Sequence, residues 1–486
     1  MQYYYYLIAV LVLFAGCQDS PGNPFDQHFV DATLRIDYFH KGDALREAVA
    51  IDATYRYDDW AGSLVHLIDT LNYGAYYHKV YDKTTGDLIY SRGFDSYFKE
   101  YQTSTPAREG RVKQFHESAI IPLPRDSIVF AIERRNKEGV MREVFRTELH
   151  PANAASAAVD PGVEVTESQI SGDPHVKADI AIIGEGYTAD EAQKFRDDLA
   201  RFTEIFFQAE PCKSHRDRFN IRGVLKPSQE SGADEPRAGI EKNTAVSASF
   251  NALGSERYLL TEDNKALRDI AGHAPYDALY IMVNHTRYGG GGIYNFYCVY
   301  TSDNINSDYL MVHEFGHSFF GLADEYYTSS TAYNDFYTPE FEPAEPNITA
   351  LLDPDNIKWK DLLTPGIEIP TPWVKAAYDS VDLAWQAQRA MLNDRIAQLQ
   401  REGAPEHEVQ AAKDDYDARS SARSAEVQAY LENSPYAGKT GAFEGAGYQA
   451  TGLYRPSINC IMFTRTDYFC PVCQEAMKGI IDWYSM

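Results

Sequence analysis

"MVHEFGHSFFGLADEYY", residues 311–327, decides how this chain is read. Leu310, Val312, Phe315 and Phe319 make the segment apolar enough for a buried helix. His313 and His317 stand four apart, so on such a helix both imidazoles occupy one face, close enough to bind one ion. Gly321 can end the helix in a left-handed conformation and turn the chain back. Asp324 then arrives three residues later, with Glu325 beside it. A catalytic zinc takes three protein ligands and leaves one position for water. The residues expected to hold Zn²⁺ are therefore His313, His317 and one of the two acids, Asp324 or Glu325, with the remaining acid orienting a ligand imidazole. Glu314 can reach a water at such a site without ligating the ion, which is the position of a general base. The competing possibility is two core histidines bonded to backbone carbonyls, with Glu314 at the surface.

Upstream, "HVKADIAIIGEGYT" is a continuous apolar run, as expected for a buried strand. "DEAQKFRDDLARFTEIFFQ" follows with helical spacing at Phe195, Leu199, Phe202 and Phe206, and Asp190 as a cap. "RFNIRGVLKPS" and "YDALYIMVNH" add two strands, so the order indicates an α/β unit. Downstream, residues 374–432 predict a helical hairpin. Trp385, Leu392, Ile396 and Leu399 form a stripe, Gly403 is a stop, and Pro405 is a new start. Its polar faces read as solvated, and it is placed as an insertion within the catalytic domain, 160–486.

Residues 25–152 alternate Thr, Tyr, Val and Ile with polar residues between Gly, Asp and Pro punctuation, which predicts an all-β sandwich domain. "HPANAASAAVDPG" reads as a linker. The first residues carry a short apolar run ending in "LFAGC", which resembles the lipobox of bacterial lipoprotein signal peptides. That resemblance implies a signal peptide over 1–17, lipidation at Cys17, and export to the cell envelope or beyond. The expected membrane association is only through this lipid anchor. A net charge of −26 without a basic run excludes nucleic acid as a partner. Cys470 and Cys473 have C-x-x-C spacing but no second Cys/His pair at a suitable distance, so they read as a local disulfide or plain buried thiols.

"HEFGHSFFGLADEYY" resembles the active-site segment of the bacterial IgA-peptidase family of zinc metallopeptidases, which is similar in layout to the metzincins. The metzincin pattern places glycine three residues after the second histidine. Here Gly321 stands four after His317, one residue inserted, while the glycine-to-ligand spacing of three is kept at Asp324. "IIGEGYT", "TRYGGGGIYN" and "GAFEGAGYQATGLYRPSINCIMF" resemble the family's other landmarks, so the likeness spans roughly residues 160–486. It implies a metzincin-like α/β peptidase domain, protein or peptide substrates, and Met462 as a Met-turn giving apolar support beneath the metal.

The four glycines of "RYGGGGIYNFYCVY" lack the Lys-Ser/Thr and helix of a phosphate loop. They read as a flexible turn into a strand that lines a cleft and pairs with extended substrate. Tyr448 and Tyr454 are candidates to donate a hydrogen bond to the developing oxyanion. Two rival functions are compatible with the sequence. One is a surface lipoprotein that captures glycan or protein through a degenerate site, which its 13% aromatic content would suit. The other is a zinc amidase or deacetylase using the same water activation.

Overall fold

The computed structural model describes residues 23–328 and 336–485, so the expected signal peptide and Cys17 lie outside the described residues. The N-terminal part runs α1 (Pro24–His28), β1 (Phe29–Gly42), β2 (Glu47–Tyr57), β3 (Tyr76–Asp82), β4 (Leu88–Phe94), α2 (Tyr97–Thr103), α3 (Thr105–Arg108), β5 (Lys113–Pro124), β6 (Ile128–Arg135), β7 (Met141–Leu149) and β8 (Ala155–Ser156). Its strands form two four-stranded sheets, ordered β5-β1-β2-β8 and β4-β3-β6-β7. Period-two alternation sends Leu34, Ile36 and Tyr38 of one sheet against Tyr76, Phe130 and Ile132 of the other in a common core. Strand β5 was not anticipated from its sequence. It carries Pro122 and Pro124, and it can do so because it is an edge strand paired only with β1. The stretch expected as a linker contributes β8, which pairs with Tyr55 and Arg56 of β2.

The following segment comprises β9 (Glu164–Gln169), β10 (Ala178–Glu185), α4 (Ala192–Phe206), β11 (Phe219–Leu225), α5 (Asn264–Ala271), β12 (Ala278–Val283), β13 (Gly290–Ile293), β14 (Tyr297–Thr301) and α6 (Ser307–Ser318). One six-stranded sheet, ordered β13-β14-β12-β10-β11-β9, is parallel in its four central strands and antiparallel at both edges. The apolar run of β10 divides between two faces. Ile180 and Ile182 join Phe195, Leu199, Phe202 and Phe315 in one core, while Ala181 and Ile183 join Leu267, Ile270 and Phe98 in another. Burial on both faces is why this strand reads as continuously apolar. Asp190 lies in a short 3-10 turn that leads into α4; Thr188 caps this turn in a reciprocal capping box with Glu191, and Glu191 is the residue that precedes the helix.

Helices α7 (Lys375–Arg401) and α8 (Glu406–Glu432) follow where the stripe and the Gly403/Pro405 punctuation place them, with Gly403 at φ +65°. The chain closes with the hairpin β15 (Thr440–Ala446) and β16 (Gln449–Ser457) and with α9 (Pro471–Tyr484). The N-terminal part is bonded to the central sheet's unit: Arg35 pairs with Asp269 at 2.7 Å, and Arg92 donates to the Asp277 carbonyl at 3.2 Å. Among the described residues no helix is long and apolar enough to cross a membrane.

Candidate metal centre

Helix α6 lies against the sheet because Phe315 stacks on Tyr280 at 4.5 Å and the Tyr280 hydroxyl donates to the Met311 carbonyl at 3.0 Å. Gly321, at φ +63°, ends it, donating its N–H to the His317 carbonyl at 3.2 Å in a left-handed cap. The chain then reverses under the helix, and Asn347 holds the return: its side chain accepts from the Ala323 N–H at 2.8 Å and donates to the Ala323 carbonyl at 2.9 Å.

This turn brings Asp324 to the two histidines. The Nε2 atoms of His313 and His317 are 3.2 Å apart, and Asp324 Oδ1 is 3.2 Å from each. The opposite ring nitrogens face carbonyls: His313 Nδ1 is 2.9 Å from the Ile461 carbonyl, and His317 Nδ1 is 2.7 Å from that of Leu322. A carbonyl only accepts, so each Nδ1 carries the proton and each Nε2 presents a lone pair. The core-histidine possibility is thus half right: the carbonyl bonds exist, yet they free the other nitrogens for an ion.

The donors fit a metal. Asp324 Oδ1 is buried without a hydrogen bond of its own, and two imidazole lone pairs converge on the same point. A single cation there satisfies all three, as a three-ligand catalytic site requires. The charge balance also favours a cation at this point. Burial disfavours a charged His317, yet Asp324 outweighs it and pushes the imidazole up to about 9, so without an ion a proton occupies Nε2 and a metal takes its place by displacing it. Burial likewise opposes the Asp324 carboxylate, but His317 and His313 hold it far below the usual range.

Glu314 reaches a cavity of about 250 Å³ whose floor also holds His313, His317 and Asp324. Burial pushes its carboxyl up, against the pull of the two histidines. One wall is β13. The glycines expected to form a flexible turn instead form this edge strand, and contact distances show why. A Cβ at Gly290 would stand 2.7 Å from Glu314 Oε1, and one at Gly292 would stand 2.5 Å from the Glu314 carbonyl oxygen. Only glycine lets the strand approach α6 this closely. Another wall is the helical pair, through Trp385 of the apolar stripe together with Arg389 and Val427.

The other candidate residues separate. Neighbouring side chains in an extended stretch point to opposite sides, and Glu325 points away from the histidines, accepting from Asn347 Nδ2 at 3.1 Å and lying 3.3 Å from Cys473 Sγ. Met462 is fully buried beneath Gly316 of α6, and its carbonyl accepts the Glu325 N–H at 2.8 Å. Tyr448 directs its hydroxyl to Asp324 Oδ2 at 2.6 Å, and so is engaged with a ligand candidate. Tyr454 is on β16, its backbone paired with Thr349, and it is not among the residues lining the cavity. Cys470 and Cys473 are buried thiols and form no disulfide.

Two residues at the site were not singled out from sequence. Tyr309, whose hydroxyl is 3.1 Å from His313 Nδ1, stands four residues before His313, and the same helical spacing that groups the histidines could have found it. Tyr326 lines the same cavity, where burial and the nearby Asp324 push its phenol up, and no pattern in the sequence marks it.

A family model described as IgA Peptidase M64 matches residues 166–481, and one described as the Peptidase M64 N-terminus matches residues 24–146. No curated protein matches the chain. With this coverage the protein is a peptidase, a hydrolase of peptide bonds. More particularly, the chain belongs to the IgA peptidase M64 family.

Proposed function

We propose that the protein is a zinc-dependent endopeptidase, exported and lipid-anchored through Cys17 or secreted, that hydrolyses peptide bonds of extracellular proteins. We read its catalytic domain as metzincin-like, with the α7–α8 hairpin as an insertion, and its N-terminal part as a β-sandwich. One observation carries the proposal: two imidazole Nε2 atoms and a carboxylate oxygen converge within 3.2 Å on the floor of a cleft beside Glu314.

Zn²⁺ held by His313, His317 and Asp324 supplies a Lewis acid for the scissile carbonyl and lowers the pKa of water. The chain's own groups do the rest. The Ile461 and Leu322 carbonyls fix the ring orientations. Tyr448 steadies Asp324. Glu314 takes a proton from the attacking water onto a carboxylate oxygen and delivers it to the leaving amine nitrogen. Strand β13 borders the cleft at the edge of its sheet, where an extended substrate backbone can align. Met462 supports α6 from below.

Glu314→Gln tests the assignment. It keeps the shape and removes the base, so metal content should match the parent while cleavage of a denatured protein falls by roughly 10²- to 10⁴-fold. Cleavage equal to the parent's would sink the mechanism. Assaying peptidoglycan amides beside protein substrates separates a peptidase from an amidase.

A further inference from the structure

Glu325, turned away from the histidines, enters a second cluster. Cys460 Sγ lies 3.8 Å from Cys473 Sγ, and Cys473 Sγ lies 3.3 Å from Glu325 Oε1. Cys470 completes the group, and one donor atom from each of the four residues lies within 4.8 Å of all the others. All four residues are buried. A tetrahedral zinc with sulfur ligands at about 2.3 Å separates those sulfurs by roughly 3.8 Å. A disulfide would instead require about 2.05 Å.

We propose that Cys460, Cys470, Cys473 and Glu325 form a second metal site, a closed structural site for a thiophilic divalent cation of the zinc class.

The surroundings suit an anionic ligand set around a cation. Glu325 Oε2 is fully buried and makes no hydrogen bond, which is costly for a carboxylate. The Cys470 N–H donates to Cys460 Sγ at 3.3 Å, a bond that favours a thiolate. Cys470 is the N-cap of α9 and Cys473 lies in its first turn, where the helix dipole favours negative charge. Arg455, fully buried and within electrostatic range of Glu325, adds a compensating positive charge. Four donors fill a tetrahedron and leave no position for water, so the site is structural and not catalytic.

Its position gives the ion a task. Glu325 is the neighbour of Asp324, and Cys460 is the neighbour of Ile461, whose carbonyl fixes His313. One ion would therefore clamp the return loop, the turn beneath α6 and the start of α9 into the arrangement that aims the first set of ligands. Among the described residues the remaining group of metal-capable side chains, Asp37, Asp52 and His116, needs no ion, because Arg35 grips Asp37 through two bonds of 2.6 Å.

The test is elemental analysis with zinc-edge X-ray absorption on the purified full-length chain and on His317→Ala, each loaded with zinc alone and dialysed. His317→Ala should retain about one zinc per chain with a sulfur shell at about 2.3 Å. Should that variant not fold, the wild type still decides, because the histidine–aspartate site offers only nitrogen and oxygen donors. A sulfur shell supports the proposal even if the protein proves catalytically inert. Zinc surrounded only by nitrogen and oxygen overturns it, as does a folded chain that binds no zinc when loaded. A Cys460–Cys473 disulfide in the native protein, seen by peptide mapping and a mass two hydrogens lower, also overturns it.

Discussion

At the scale of single residues the site depends on which nitrogen of each histidine carries the proton. The two carbonyl bonds decide this for His313 and His317, and Tyr448 does the corresponding work for Asp324. Tyr448→Phe removes the 2.6 Å bond but leaves the ring in place. Zinc retention against a competing chelator should weaken by about 10- to 100-fold, the usual cost of losing a group that orients a ligand. Retention unchanged would mean that Tyr448 does not steady Asp324. The spacing of His313, Glu314, His317 and Gly321 was legible because it follows from helix geometry alone. Asp324 was favoured over Glu325 only through the glycine-to-ligand spacing of the resembling family, because both acids sit in one irregular stretch and its path under α6 is what turns one of them toward the histidines. The cysteine cluster escaped for a similar reason. Its fourth donor, Glu325, is far upstream in sequence and nothing local connects it to C-x-x-C.

At the scale of elements, what could be read were segments with their own period. Helix α4 follows Phe195, Leu199, Phe202 and Phe206, and α7 and α8 follow a stripe with clear punctuation. What could not be read were elements that take their reason from a neighbour. Strand β5 tolerates its prolines because nothing pairs on its outer side, and β13 is built of glycine because α6 lies so close. The second case makes a prediction. In Gly292→Ala the new Cβ would meet the Glu314 carbonyl at 2.5 Å and His317 Cβ at 2.9 Å, both on a helix that cannot yield easily. Overpacking of this kind costs about 1–3 kcal/mol, so the denaturant midpoint should fall. Catalysis should fall further than stability alone accounts for, because Glu314 and His317 move together. Full activity with an unchanged midpoint would show that β13 does not press on α6 in this way.

At the scale of the molecule, the N-terminal sheets and the central sheet meet over buried charge. Asp277 lies beside Asp179, whose N–H its Oδ2 accepts at 3.0 Å. Burial, with the neighbouring Asp179, pushes the Asp277 carboxyl up to about 7. In the unfolded chain the group titrates near 3.8, so between about pH 4 and 7 the folded protein holds the extra proton. Its contribution to stability is therefore present at low pH and is lost as pH rises through that window. Asp277→Asn should flatten the fall in urea midpoint between about pH 5 and about pH 7. If the variant declines as steeply as the parent, the cause lies in other groups. The acid limb, where carboxylates such as Glu47 and Glu235 are held low by cationic partners, should be unaffected. The whole-chain organisation, a strand-rich N-terminal part before an α/β unit, was visible in sequence. The use of the α7–α8 pair as a cleft wall was not, since the stripe marks Trp385 for packing and nothing marks Arg389 until the fold brings both to the cavity that β13 also lines.

The central claim is that His313, His317 and Asp324 hold the ion on which hydrolysis depends. The most direct measurement compares zinc per chain in the folded wild type and in His317→Ala, with cleavage of a denatured protein followed on the same samples. The wild type should exceed the variant by about one zinc, and the variant should lose cleavage together with that ion. Equal zinc in both proteins, or cleavage that survives in His317→Ala, would contradict the claim.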